Sequence, residues 1–246
     1  MTLEISLIVV GILIALVGIV SGITSVWLMI KYFRFNRREN SLGLTGIQVA
    51  RKILDDNGLE HIQVKRTGSL LFGNSYSHYF KKVRLRGMIR HETSLTSMGM
   101  GAQKAALAIL DKEGDTDMKK RIRLVPLVTF GPFAFIPLIV IGGLLDYFIF
   151  SGGGICTLAL GAIGLLFYIY SIVLSVLTLK TEKKAQDRAY DILKQDYHVT
   201  EDELSSLKEL FRLYNIQYVN DIILSSLELL YTALEIAIAV KGKSDR

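Results

Sequence analysis

Residues 5–30 form a run of 26 without a single charged side chain. A helix rises about 1.5 Å per residue and a bilayer core takes about 20 apolar residues to cross, so this run is long enough to span one. The head, Met1-Thr2-Leu3-Glu4, lacks the basic region of a cleaved leader, whereas Trp27 is followed by Lys31, Arg34, Arg37 and Arg38. These flanks predict an uncleaved anchor, with its basic end cytoplasmic and its N-terminus outside.

Half of the 246 residues are hydrophobic, and they gather in blocks, which is the pattern of an integral membrane protein carrying soluble parts. After the anchor the blocks are 124–150, 155–179 and 222–240. The first two predict a hairpin whose connection, holding Asp146 and glycines without Lys or Arg, lies outside. Pro126, Pro132 and Pro137 all fall in the first of them and predict a kinked, packing-shaped span. The last block carries Glu228 and Glu235, seven residues apart on one helical face, and either crosses the membrane or lies at its interface. The expected fold is therefore mainly α, an integral membrane helical bundle of 3–4 spans with a small cytoplasmic α+β domain. Its segments are an anchor (1–30), a basic cytoplasmic α+β domain (31–123), a membrane hairpin (124–179), cytoplasmic helices (180–215) and a C-terminal membrane or interfacial helix (216–246).

Residues 31–123 contain 19 Lys and Arg against 9 Asp and Glu, more than the whole net charge of +6. The charges are scattered and no recognition motif accompanies them, so nucleic acid is not an expected partner; anionic lipid headgroups are. The single cysteine, Cys156, permits neither an intrachain disulfide nor a cysteine metal cluster.

Local patterns organise the basic segment. Thr45 caps a helix with the apolar stripe Ile47, Val49, Ala50, Ile53 and Leu54, stopped by Asn57-Gly58. His61-Ile-Gln-Val-Lys and Lys82-Val-Arg-Leu85 alternate as two short strands that can pair. From Ile89 to Asp111 the period turns helical, with Leu95, Met98, Ala102, Ala106, Ile109 and Leu110 on one face and a stop near Gly114. Beyond the third block, 182–198 reads as a polar, solvated helix, and Thr200-Glu-Asp-Glu203 as a capping box.

Gly43-Leu-Thr-Gly-Ile-Gln-Val-Ala-Arg-Lys-Ile-Leu-Asp-Asp-Asn-Gly-Leu59 resembles the opening signature of the membrane-embedded neutral zinc metallopeptidases of the YugP type. The likeness continues through Lys81-Lys-Val-Arg-Leu85, the Ala-rich stretch 97–110, Val125-Pro-Leu-Val128, Glu182-Lys-Lys-Ala-Gln-Asp-Arg-Ala189 and Gln217-Tyr-Val219. The resemblance implies a His-Glu-x-x-His motif on the Ala-rich helix, where two His at i and i+4 bind zinc and the Glu acts as general base. In register, those three positions hold Gln103, Lys104 and Leu107. A second signature, Asp-His-Tyr-Asp, aligns with Asn74, Ser75, Tyr76 and Ser77, of which only the Tyr is kept. The metal-binding Glu supplied after the third span matches Glu182, which is retained.

No replacement site is evident. His91-Glu92-Thr-Ser-Leu95 offers one imidazole, and His61, His78 and His198 stand alone in the sequence. The reading that follows is a catalytically inactive zinc-metallopeptidase-like membrane protein, without a cofactor, acting as a scaffold or regulatory subunit. Its expected partner is another membrane protein, an active paralogue or a further copy included, held against Leu107, Ala105 and Ala106. The alternative is a membrane zinc-dependent peptidase with an atypical metal site. A third reading gives Glu228 and Glu235 ion or proton handling. The family's usual setting implies a bacterial plasma membrane.

Overall fold

The computed structural model describes residues 3–67, 73–87, 92–128, 131–149 and 154–244. Among them lie seven helices and three strands: α1 (Leu3–Asn36), α2 (Gly46–Asp56), β1 (Gln63–Arg66), β2 (Ser75–Ser77), β3 (Lys82–Leu85), α3 (Leu95–Glu113), α4 (Thr116–Val128), α5 (Gly131–Phe148), α6 (Ile155–Gln195) and α7 (Glu201–Ser244). The chain divides into two compact units. One comprises Met1–Gly22, Arg123–Leu177 and Tyr218–Arg246; the other Ile23–Ile122 and Thr178–Gln217.

In the second unit α3 is central. Ser94 caps it by accepting the Ser97 amide on its hydroxyl at 3.1 Å, and Gly114, at φ +74°, ends it in the left-handed conformation that glycine adopts without strain. This start at Leu95 is later than the expected Ile89; residues 88–91, and with them His91, lie outside the described residues. Every residue from Leu95 to Leu110 is buried, so α3 has no solvent face until its last turn, where Lys112 and Glu113 are exposed. α2 lies so close that a Cβ on Gly101 would come within 2.4 Å of the Gly46 carbonyl oxygen. The core adds Ile53 and Leu54 of α2, Val83 and Leu85 of β3, Ala185, Ala189 and Leu193 of α6, and Leu204 and Leu207 of α7. The lower part of α6 is thus a core helix rather than the solvated one expected, because Ala185, Ala189 and Leu193 recur on one face at helical spacing.

α2 forms as its sequence dictates, with a full capping box between Thr45 and Gln48. β1 and β3 pair in parallel, and β2, three residues not anticipated as a strand, joins β3 antiparallel to give the order β1-β3-β2. The capping hydroxyl of Thr200 accepts the Glu203 amide at 3.4 Å, while the Glu203 carboxylate reaches across to the Ser41 amide and hydroxyl.

Two helices, not three or four, are long and apolar enough to cross a membrane among the described residues, and each runs through both units. They are α1, mean hydropathy 2.8, and α6, mean hydropathy 2.2. Block 124–150 is shared between α4 and α5, leaving only Pro137–Phe148 as an apolar helix of shorter length, and residues 129, 130 and 150 lie outside the described residues. The apolar stretch of α7 is interrupted by Asp221, Glu228 and Glu235. Asp146 is helical rather than in the connection: its carboxylate accepts the Cys156 and Thr157 amides at 2.9 and 2.8 Å and the Thr157 hydroxyl at 2.7 Å, capping the start of α6 from α5.

Candidate functional site

Gln103 and Lys104 are successive residues of α3, with Leu107 one turn further on. α6 brings Glu182 against them, three residues past its apolar block. Lys104 Nζ donates to Glu182 Oε2 at 2.7 Å and Gln103 Nε2 donates to the same oxygen at 2.9 Å. From α4, Arg121 places Nη2 at 3.5 Å from the other oxygen, Oε1, and donates through Nη1 to Thr181 Oγ1 at 3.0 Å. Gln103 is 4% exposed and Lys104 7% exposed, and the Glu182 side chain 15%. Three of the seven positions singled out in the sequence therefore meet in one buried cluster. Leu107 is fully buried in the apolar core.

A buried carboxylate must be paired or protonated, and here it is paired twice. Burial alone would push the Glu182 carboxyl up; the Lys104 ammonium, then the Arg121 guanidinium, outweigh it and hold the group below the usual glutamate value. An anion so stabilised is a weak proton acceptor near neutral pH. The cluster carries two positive charges and one negative.

The donor set does not fit zinc. A zinc site needs three or four imidazole, thiolate or carboxylate donors, and this one offers a single carboxylate with both oxygens already engaged. Gln is a poor ligand and Leu is none. A cation entering here would also face Lys104 and Arg121, and like unit charges 4 Å apart cost about 4 kcal/mol at the effective dielectric near a protein surface. Among the described residues no three His, Cys, Asp or Glu side chains converge as a metal site requires.

The second set of positions is built into the sheet and not into this cluster. Asn74 Oδ1 accepts the Arg86 amide at 2.8 Å. Ser75 and Ser77 stand opposite Arg84 and Lys82 and share their face of β3, whereas buried Val83 and Leu85 point to the core. Tyr76 between them faces inward and donates its hydroxyl to Asp111 Oδ2 at 2.6 Å; His78 Nδ1 lies 2.6 Å from the same oxygen. Burial and that bond to Asp111 raise the Tyr76 hydroxyl well above the usual tyrosine value. His78 is thus paired rather than isolated. His61 is exposed, and His198 takes a left-handed backbone at φ +52°.

Sequence reasoning did not find Arg121, nor the hydrogen bond that makes Gln103 a partner of Glu182. The available signal was Glu182 itself: an acid three residues past an apolar block needs a cation once it is buried. Nor are Ala105, Ala106 and Leu107 a surface for a partner, since all three are 0% exposed within the chain's own core.

No solved structure matches this chain. The curated relative it resembles is "Putative membrane protease YugP" of Bacillus subtilis (strain 168), 24% identical over 197 residues that make up 80% of this chain and 83% of the relative. With that relative named a membrane protease, and with α1 and α6 apolar and largely exposed along their spans, the protein is membrane-associated. The family described as "Putative neutral zinc metallopeptidase" matches residues 9–237, nearly the whole length, and the chain belongs to that neutral zinc metallopeptidase family.

Proposed function

We propose that this is a catalytically inactive member of its family, working as a scaffold or regulatory subunit for another membrane protein. The observation that supports this reading is the Lys104–Glu182 pair at 2.7 Å. An ammonium ion sits on the one carboxylate the family would give to zinc, and the general-base position is the very residue that supplies it. With its oxygens engaged by Lys104, Gln103 and Arg121, the Glu182 carboxylate is not free to activate water.

In this reading the chain lies in a bacterial plasma membrane with its N-terminus outside and 31–123 in the cytoplasm. The orientation rests on Lys31, Arg34, Arg37 and Arg38 behind the first span. A partner engages surfaces other than the one around Leu107. An active paralogue is one such partner, and a second copy of this chain is another.

Metal analysis of protein purified from its native membranes is the direct test. The expected result is zinc far below one equivalent per chain, no chelator-sensitive peptide cleavage, and a membrane protein that co-purifies stoichiometrically. Near-equivalent zinc with chelator-sensitive cleavage overturns the inactivity, and purification as a lone monomer overturns the scaffold role.

A further inference from the structure

The outer face of the three-stranded sheet has a composition the site around Glu182 does not account for. Residues paired across strands share a face, so Lys82 and Arg84 of β3 stand beside Gln63 and Lys65 of β1 and Ser77 and Ser75 of β2. Three of these six are cations and none is acidic. At one end of this face the turn from β2 to β3 presents Tyr79, 58% exposed, and Phe80, 62% exposed. The Phe80 ring lies 6.0 Å from the Lys82 ammonium and 5.5 Å from the Arg84 guanidinium. The turn is held firmly, because Lys81 donates its amide to the His78 carbonyl at 3.3 Å and Phe80 donates its amide to Ser77 Oγ at 3.4 Å.

Phe80, exposed beside two cations, and the exposed ring of Tyr79 are not accounted for by core packing. They match what a bilayer interface selects: amphipathic rings at headgroup depth and cations against lipid phosphates. The position of the turn agrees with that assignment. Tyr79 donates its hydroxyl to the Ile122 carbonyl at 3.0 Å, and Ile122 stands two residues before Leu124, where an apolar block of the chain begins.

We infer that the Tyr79-Phe80 turn and the Lys65, Lys82 and Arg84 face form a docking surface for anionic phospholipid, through which the sheet is seated on the membrane. The Phe80 ring enters the headgroup layer, the Tyr79 hydroxyl stays on the Ile122 carbonyl, and the three cations contact lipid phosphates. This is independent of whether the chain is inactive.

The test uses the full chain in vesicles. Trp27 is the only tryptophan, so Trp27→Phe with Phe80→Trp puts one indole at the turn. In phosphatidylglycerol-containing vesicles its emission is expected to be blue-shifted and quenched by brominated acyl chains. Adding Lys82→Gln and Arg84→Gln is expected to remove most of the quenching. A water-like emission without quenching in those vesicles overturns the assignment and leaves the aromatics to a soluble partner. Equal quenching in pure phosphatidylcholine overturns the anionic preference. Should the tryptophan variant fail to fold, hydrogen exchange of wild-type residues 78–84 in nanodiscs gives the same answer: slower exchange with phosphatidylglycerol supports it, and equal rates in both lipids overturn it.

Discussion

Glu182 is the residue whose behaviour separates a structural ion cluster from a remnant. Removing its charge leaves Lys104 buried without a counterion, and breaking a buried pair from one side costs about 3–5 kcal/mol. Glu182→Gln should therefore lower the unfolding midpoint in detergent by that equivalent. The double variant Lys104→Met with Glu182→Met should lose much less than the two single changes combined, since an apolar pair of similar volume tolerates burial. The pH dependence has a defined sign. Because the folded-state pKa of Glu182 lies below its ordinary value, its contribution is present at neutral pH and is lost as pH falls from the ordinary glutamate range through the depressed value. Unfolding followed from pH 7 down to about 3 should show an acid-side loss that is smaller in Glu182→Gln. Leu107→Ala, in contrast, should cost about 2–5 kcal/mol with no pH dependence, as a cavity in an apolar core. None of these polar partnerships was legible residue by residue. Gln103 and Lys104 were recognisable only as departures from a motif, and Arg121 lay in a polar run with nothing to distinguish it from its neighbours Lys119, Lys120 and Arg123.

Among the elements, those with local signals were legible and those defined by long-range contact were not. α2 carries its own cap, stripe and stop, and β1 and β3 alternate, so the sequence places each within a residue or two of its observed bounds. β2 is three residues long and becomes a strand only because Tyr76 can reach Asp111 while its backbone pairs with β3. α3 shows the apolar face expected of it. Its opposite face is buried as well, and its Gly, Ala and Ser residues, which read as neutral in a periodicity, are what allow neighbouring helices so close. Gly101→Ala tests this: with 2.4 Å between the new Cβ and the Gly46 carbonyl oxygen, α2 and α3 must separate, and a loss of about 1–3 kcal/mol is expected by chemical denaturation. At the start of α6, Asp146→Ala should destabilise by about 1 kcal/mol, the worth of a helix cap, even though this cap comes from a different helix.

At the scale of the whole molecule, the hydropathy blocks found α1 and α6, the two helices among the described residues that are long and apolar enough to cross a membrane, but overcounted such helices. A block of 27 residues, 124–150, looks continuous in composition, yet among the described residues it yields only the shorter apolar helix Pro137–Phe148. The positions that the resemblance singles out are likewise spread along the chain, since α3, α6 and the sheet all carry some of them. Restoring His at 103, Glu at 104 and His at 107 should therefore not restore peptidase activity. Arg121 would still lie against Glu182, and Asn74, Ser75 and Ser77 would still replace the second signature. Robust cleavage by Gln103→His, Lys104→Glu, Leu107→His protein in a peptide assay would refute that.

The Lys104–Glu182 pair also governs which mutational paths lead away from this sequence. Gln103→His alone sets an imidazole beside an ammonium ion, and Leu107→His alone puts a polar ring into an apolar core. Lys104→Glu alone crowds two carboxylates around Arg121. Each single step toward a metal-binding set is unfavourable on its own, and only several together could be favourable. Positions 103, 104, 107 and 182 are therefore coupled: with Lys104 paired to Glu182, what a substitution at one of them costs depends on which residues stand at the others.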